Sequence, residues 1–460
     1  HHLAAHSGGL DRLRILRKVN ARSFSLLENI CGIRFSALSQ RVVEVKAVET
    51  HSAPIGKRNL LAAFAAVCIG LSVPLSQIGI SYTTSLLALA SVAAVLHPNR
   101  ALWLSEAAGC LRSPLGIAIG IVFIAWIPSL FLSVDPMKSV QVWFRSAAYL
   151  CLGSLLWAFL HNNPRSLVLA QKVLIAAAVV SVLLIAVNFL GGTEYIRALR
   201  FKEFVEGYPP QVMKLYAAPA ACLIPVLICI GYRLGRTILL GSLAISASFV
   251  VFVYLTGGGA AVMGLLFGAY CVAITWLGRR YVGIPIIGMA VMVAAVAGWY
   301  LWFASQTIPN HADFDGYPIS PYTVDRHRQI IWLFVMSRMP DAMWFGYGID
   351  AINKMAGAGE IIEVLKAEYL PSHPHSWALE VLAETGVIGF CAFIGALGIA
   401  FYGACRKAMS GSSAALTAVG LLGVYFGSGL FSFSVWASWW QLVLIILWAI
   451  IAAMPHGTNR

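Results

Sequence analysis

The chain has 460 residues, of which 59% are hydrophobic and only 11% charged. With a mean hydropathy of +0.80 it lacks the polar surface a water-soluble globule needs, so bilayer lipid is its solvent. The formal net charge of +13 falls largely in short loops between apolar stretches, where it orients a membrane protein and calls for no nucleic-acid partner.

Residues 1–58 carry ten Lys or Arg and no apolar core of signal-peptide length, which predicts a basic cytoplasmic arm lying on the membrane surface. From there to 304 come nine apolar stretches, at 59–79, 81–97, 115–134, 141–160, 167–190, 212–232, 237–256, 259–277 and 282–304. A polar insert covers 305–385, and three more stretches follow at 386–405, 413–434 and 437–455, ahead of a short tail. Each is about 20 residues, enough to cross roughly 30 Å of hydrocarbon as a helix. Alternation at period two is absent, which argues against an outer-membrane barrel. The expected fold is all-α, with about twelve transmembrane helices and one large helical loop.

Arg100, Arg112, Arg165, Arg233, Arg236, Arg279, Arg280, Arg406 and Lys407 fall on one side of these spans, together with the basic arm. The positive-inside rule makes that side cytoplasmic, so the insert faces the periplasm or its equivalent. None of the nine cysteines lies in the insert, and no disulfide framework is implied. The spans hold few ionisable residues, and these sit near span ends: Arg145 and Lys214 outside, Lys172 and Arg233 inside. An ion-coupled transporter would place a chain of acids or histidines at mid-membrane instead.

Charges recur in three outer segments: Asp135 to Arg145, Thr193 to Lys214, and the insert. In the second, Arg197, Arg200 and Lys202 precede Lys214, which opens the next span. Such a cluster suits a phosphate at headgroup level, and equally suits anionic lipid or salt bridges to Glu194, Glu203 and Glu206. In the insert, Asp313 and Asp315 flank Phe314 with the D-x-D spacing that can hold a divalent cation. The first outer loop supplies no acidic pair beside them, and neither a metal nor a cofactor is expected.

Asp325-Arg326-His327-Arg328 then precedes an apolar run from Gln329 to Met339, with Trp332 one helical turn after Arg328. Arginines at i and i+2 diverge by about 200° on a helix, so Arg326 and Arg328 share a ligand only if the helix begins beside them. A helix N-terminus flanked by guanidinium groups would then hold a diphosphate. Snorkelling from an interfacial helix, or pairing with Asp325, accounts for the same residues. Near the end of the insert, Leu379, Leu382 and Gly386 follow His375 at i+4, i+7 and i+11. That spacing predicts His375 on the apolar face of a short helix, with Glu384 pointing the opposite way. An imidazole of ordinary pKa, about 6.5, suits a general base, and a helix-capping histidine fits the pattern too.

Arg328-x-x-x-Trp332, then Gly346-Tyr347-Gly348, then His375 ahead of Leu379 and Glu384-x-Gly386, all in one loop before the third-last span, resemble the signature of the O-antigen ligase and polymerase superfamily. The resemblance covers about 305–390. It implies metal-independent transfer of a glycan from undecaprenyl diphosphate to an acceptor hydroxyl at the periplasmic face of the bacterial inner membrane, with arginines on the diphosphate and the loop histidine activating the acceptor. By position these are Arg328 or Arg326, and His375, supported by Trp332 and Glu384. Members commonly carry a Thr-x-Ser-Arg-like sequence at the outer end of the seventh span, where this chain reads Thr256-Gly257-Gly258-Gly259. The missing charge would have to come from Arg197, Arg200 or Lys214. The basic balance and the loop position resemble ligases more than polymerases, with lipid A-core as the implied acceptor; a protein O-oligosaccharyltransferase of the same superfamily is the further alternative.

Overall fold

The computed structural model describes residues 57–455, apart from 192–197, 200–212, 282, 308–315 and 322–323. The basic arm, Arg197, Arg200, Asp313 and Asp315 therefore lie outside the described residues. The chain is an all-α integral membrane protein. Its helices are α1 (Lys57–Ser72), α2 (Ile80–Leu96), α3 (Arg100–Cys110), α4 (Pro114–Ala125), α5 (Ile127–Phe131), α6 (Pro136–Asn162), α7 (Pro164–Gly191) and α8 (Lys214–Leu234). They continue with α9 (Arg236–Leu255), α10 (Gly259–Leu277), α11 (Gly283–Ala304), α12 (Arg326–Arg338), α13 (Trp377–Met409), α14 (Ser413–Gly429) and α15 (Ser438–Ala452). Among the described residues the strands are limited to an antiparallel pair in the insert, β1 (Ile361–Ile362) and β2 (Ala367–Glu368).

Eight described segments are long and apolar enough to cross a bilayer, or nine if the bent pair α2 and α3 is one span. Leu60–Ser72, Ser413–Gly429 and Ser438–Ala452 are apolar but shorter. Each expected stretch is thus helical, while some helices are shorter than a full crossing. The 98–114 segment, expected as a loop, instead folds into α3, turned 119° from α2. Its sequence Arg-Ala-Leu-Trp-Leu-Ser-Glu-Ala-Ala-Gly-Cys is too polar to continue an apolar span, yet it buries Trp103 edge-on against Phe159, with ring centres 5.0 Å apart.

Lipid offers apolar side chains no gain from clustering, so helix pairs in the membrane depend on close packing. The pair α10 and α14 meets through small residues: a methyl group on Gly264 would lie 2.6 Å from the Val424 carbonyl, and one on Gly423 would lie 2.7 Å from the Gly268 Cα. The expected gap at Thr256–Gly259 is a tight reversal from α9 to α10. Thr256 bonds back to the Phe252 carbonyl, and Gly257 takes φ 61°.

The insert is tied to the bundle where α13 breaks. Gly386 adopts φ 66°, splitting α13 into an outer piece and an apolar piece. The break frees backbone groups, and Gly346-Tyr347-Gly348 satisfies them. Tyr347 N donates to Ala383 O at 3.0 Å and Gly348 N to Glu384 O at 2.9 Å, while Val387 N donates to Met343 O at 2.9 Å. A Cβ at Gly386 would overlap the Trp344 backbone, and one at Gly346 would overlap that of Glu384. Both glycines are needed for this close approach, so these motifs are first of all a structural lock.

Candidate active site

Asp325 caps α12, its carboxylate accepting from His327 N at 2.9 Å, so the helix begins beside Arg326 and Arg328, the condition under which the two can share a ligand. Cations in a first turn oppose the helix dipole, and an anion at that end reverses the sign. Arg328 is half-buried and gives Nη1–H to the Phe431 carbonyl at 2.9 Å. Burial pulls its pKa below the usual value, while Asp325 pulls the other way. Among the described residues no ion pair to Arg328 is found, whereas Lys138 pairs with Asp350 at 3.5 Å. A desolvated guanidinium whose charge is not matched at contact distance is an anion site in waiting.

His375 differs from expectation. α13 starts at Trp377 with Ser376 as its N-cap, so His375 precedes the helix and lies on none of its faces. It holds the left-handed conformation, φ 54°, on a turn shaped by the preceding Pro374. Trp332 pins that turn, its indole Nε1–H donating to Pro374 O at 2.7 Å. Behind it, Trp332 is buried edge-on against Trp299 and Phe303.

The turn aims two imidazoles at one oxygen. His373 Nε2 lies 3.3 Å and His375 Nδ1 3.1 Å from the Ser432 carbonyl, with ring centres 4.4 Å apart. A carbonyl oxygen only accepts, so both nitrogens carry hydrogen, and neutral His375 keeps its lone pair on Nε2. Burial, then His373 and Arg328, push the His375 pKa down to about 3, against a smaller upward pull from Ser432. Burial lowers His373 as well. The imidazole is therefore neutral across the physiological range, with a backbone carbonyl setting its tautomer as a carboxylate does in a Ser-His-Asp triad.

Ser432 belongs to the connection between α14 and α15, and sequence reasoning missed this segment. Besides Arg328 and the two histidines it holds Arg145 of α6, whose Nη2–H donates to Trp436 O at 2.7 Å. Two acids of α13 fix it from below. Glu380 accepts from Val435 N at 2.8 Å, and Glu384 accepts from the Trp436 indole N–H. Glu384 also takes Asp350 N at 2.7 Å and Ile352 N at 3.3 Å. It is 1% exposed and ties the 350–352 backbone to the Trp436 side chain. A Phe-Ser-Phe-Ser-Val-Trp turn held by its own carbonyls and amides has no signature of residue types.

Of the other expected site residues, Arg326 lies half-buried in the first turn of α12 near Tyr317. Lys214 is exposed at the start of α8, and among the described residues no hydrogen bond or ion pair joins it to the histidine group. No group of three or more His, Cys, Asp or Glu is placed to hold a metal ion among the described residues.

Residues 241–394, which contain Arg326, Arg328, Trp332, His375 and Glu384, match a family model described as O-antigen ligase. A Rickettsia conorii protein provisionally named a polysaccharide ligase is 25% identical over 161 residues, which is 34% of this chain and 38% of that protein. The aligned part thus spans well under half of the relative. By its motifs and this match, residues 241–394 are similar to the O-antigen ligase family model.

Proposed function

We propose that the chain is a glycosyltransferase of the O-antigen ligase type. It moves a glycan from undecaprenyl diphosphate to a sugar hydroxyl of lipid A-core at the periplasmic face of the inner membrane, without a metal. The observation that carries this reading is the pairing of a neutral, oriented imidazole with a desolvated guanidinium on adjacent carbonyls, Ser432 and Phe431. The acceptor hydroxyl gives its proton to His375 Nε2 as its oxygen bonds to the anomeric carbon. The bond from that carbon to the diphosphate oxygen breaks, and undecaprenyl diphosphate departs with the electron pair. Diphosphate is a good leaving group, so cations on its oxygens and a base on the nucleophile address both ends of the barrier.

A diphosphate carries about two to three negative charges, more than Arg328 alone offsets once water is excluded. Arg326 and the Arg197, Arg200 and Lys214 segment are the proposed source of the remainder, with Arg145 next. Neutralising either segment should weaken donor binding, and neutralising both should give a non-additive loss. The activity is tested by the lipopolysaccharide banding of a strain lacking the protein. Complete loss of attached O-antigen supports the ligase. Capping by a single repeat would identify a polymerase of the same superfamily. Accumulation of donor on the cytoplasmic face would identify a transporter of lipid-linked saccharide.

A further inference from the structure

The general-base reading uses one histidine, yet two share the Ser432 carbonyl. The residue between them, Pro374, is buried and its carbonyl is bonded to the Trp332 indole, so the backbone that carries both rings is held in place. His373 also turns its Nδ1 toward Ser372 Oγ, 3.0 Å away on the exposed side. The groups that face His375 are His373 on its own turn and Arg328 and His327 on α12. The Phe431–Trp436 turn packed against both rings contains no charged side chain, and Glu380 on α13 is committed to Val435 N. Every charge brought to bear on the pair is therefore a cation or a histidine able to become one. A proton on one ring opposes a proton on the other.

We propose that His373 and His375 work as one unit on the Ser432 carbonyl, His373 being a positioning residue that helps hold this carbonyl and keeps Nε2 of His375 free of a proton until an anionic donor lies beside the pair. The proposal rests on His375 being the general base. The donor's negative charge offsets Arg328, so basicity rises at His375 when the substrate to be activated is present. Without donor, the lone pair stays available and unprotonated, and the site does not fill with charge that repels Arg328.

The test uses the full chain in lipid nanodiscs with nitrogen-15-labelled imidazoles, His375 being assigned by the signal lost in H375A. Wild type should show neutral His375 with hydrogen on Nδ1. In H373Q the amide N–H can still reach Ser432 while the titrating charge is gone, so the His375 titration should move up by about one pH unit. The acid limb of glycan transfer should move with it. Wild-type His375 carrying its hydrogen on Nε2, or the same His375 titration in wild type and H373Q, overturns the proposal. The first outcome needs no variant to fold. Normal transfer by H375A would instead overturn the general-base reading, while the spectra still decide whether the two rings are coupled.

Discussion

Glu384→Ala tests whether the site is built from its backbone outward. The carboxylate is 1% exposed and accepts from Asp350 N, Ile352 N and the Trp436 indole. Truncation leaves three donors without a partner, two buried and one part-buried, at about 1–3 kcal/mol for each buried one. Part of this is offset, because a buried carboxylate beside Glu380 and Asp350 is itself costly to desolvate. The net expectation is a loss of about 2–4 kcal/mol. Glu384→Gln keeps one acceptor oxygen and should lose less than about 1.5 kcal/mol. Denaturation of the reconstituted chain measures both. Transfer by Glu384→Ala should fall even where the fold persists, because Trp436 no longer steadies the turn that presents Ser432 to the histidines. A Glu384→Ala protein within about 0.5 kcal/mol of wild type and fully active would refute the reasoning, since surface changes are that small.

Gly386→Ala forces a Cβ into the Trp344 backbone at φ 66°, so it should prevent stable accumulation in the membrane, while Gly395→Ala, with open space around it, should not; immunoblots of membrane fractions compare the two. Stability should fall with acid in a defined window: burial depresses His375 to about 3 in the folded chain against about 6.5 unfolded. As pH drops from 6.5 toward 3, the unfolded chain binds a proton that the folded chain does not, so the melting temperature should decline, and the decline should shrink in H375A. If Asp313 and Asp315 are ordinary loop acids, excess EDTA should leave the transfer rate unchanged and Asp313→Asn should be silent; activity lost to EDTA and restored by Mg²⁺ or Mn²⁺ would overturn the metal-free mechanism.

The apolar helices were legible because lipid demands about 20 apolar residues per crossing, a constraint written into composition. Arg328 with Trp332, and His375, were legible as residue types in order. The structure gives each a partner: Trp332 bonds the turn before His375, and Arg328 and His375 take neighbouring carbonyls. What the spacing misjudged was the conformation of His375. Counting i+4 and i+7 to Leu379 and Leu382 assumed that the helix included it, whereas His375 follows Pro374 in a left-handed turn and the helix begins two residues later. The Phe431–Trp436 turn was invisible because every residue has a carbonyl and an amide, so a hub made of them leaves no pattern. His373, two residues before His375, was the one side chain that could have pointed to the shared site. α3 was missed because Glu106 and Arg100 disguise a helix that buries only Trp103 and Ala107.

The central claim is that His375, oriented by a backbone carbonyl, takes the acceptor's proton. Purified H375A, reconstituted with an undecaprenyl-diphosphate-linked glycan and a lipid A-core acceptor, measures this directly. The account predicts a folded protein that still binds donor through its arginines, with transfer reduced by roughly 10²–10⁴-fold. Transfer at near wild-type rate would contradict it and remove His375 from the mechanism.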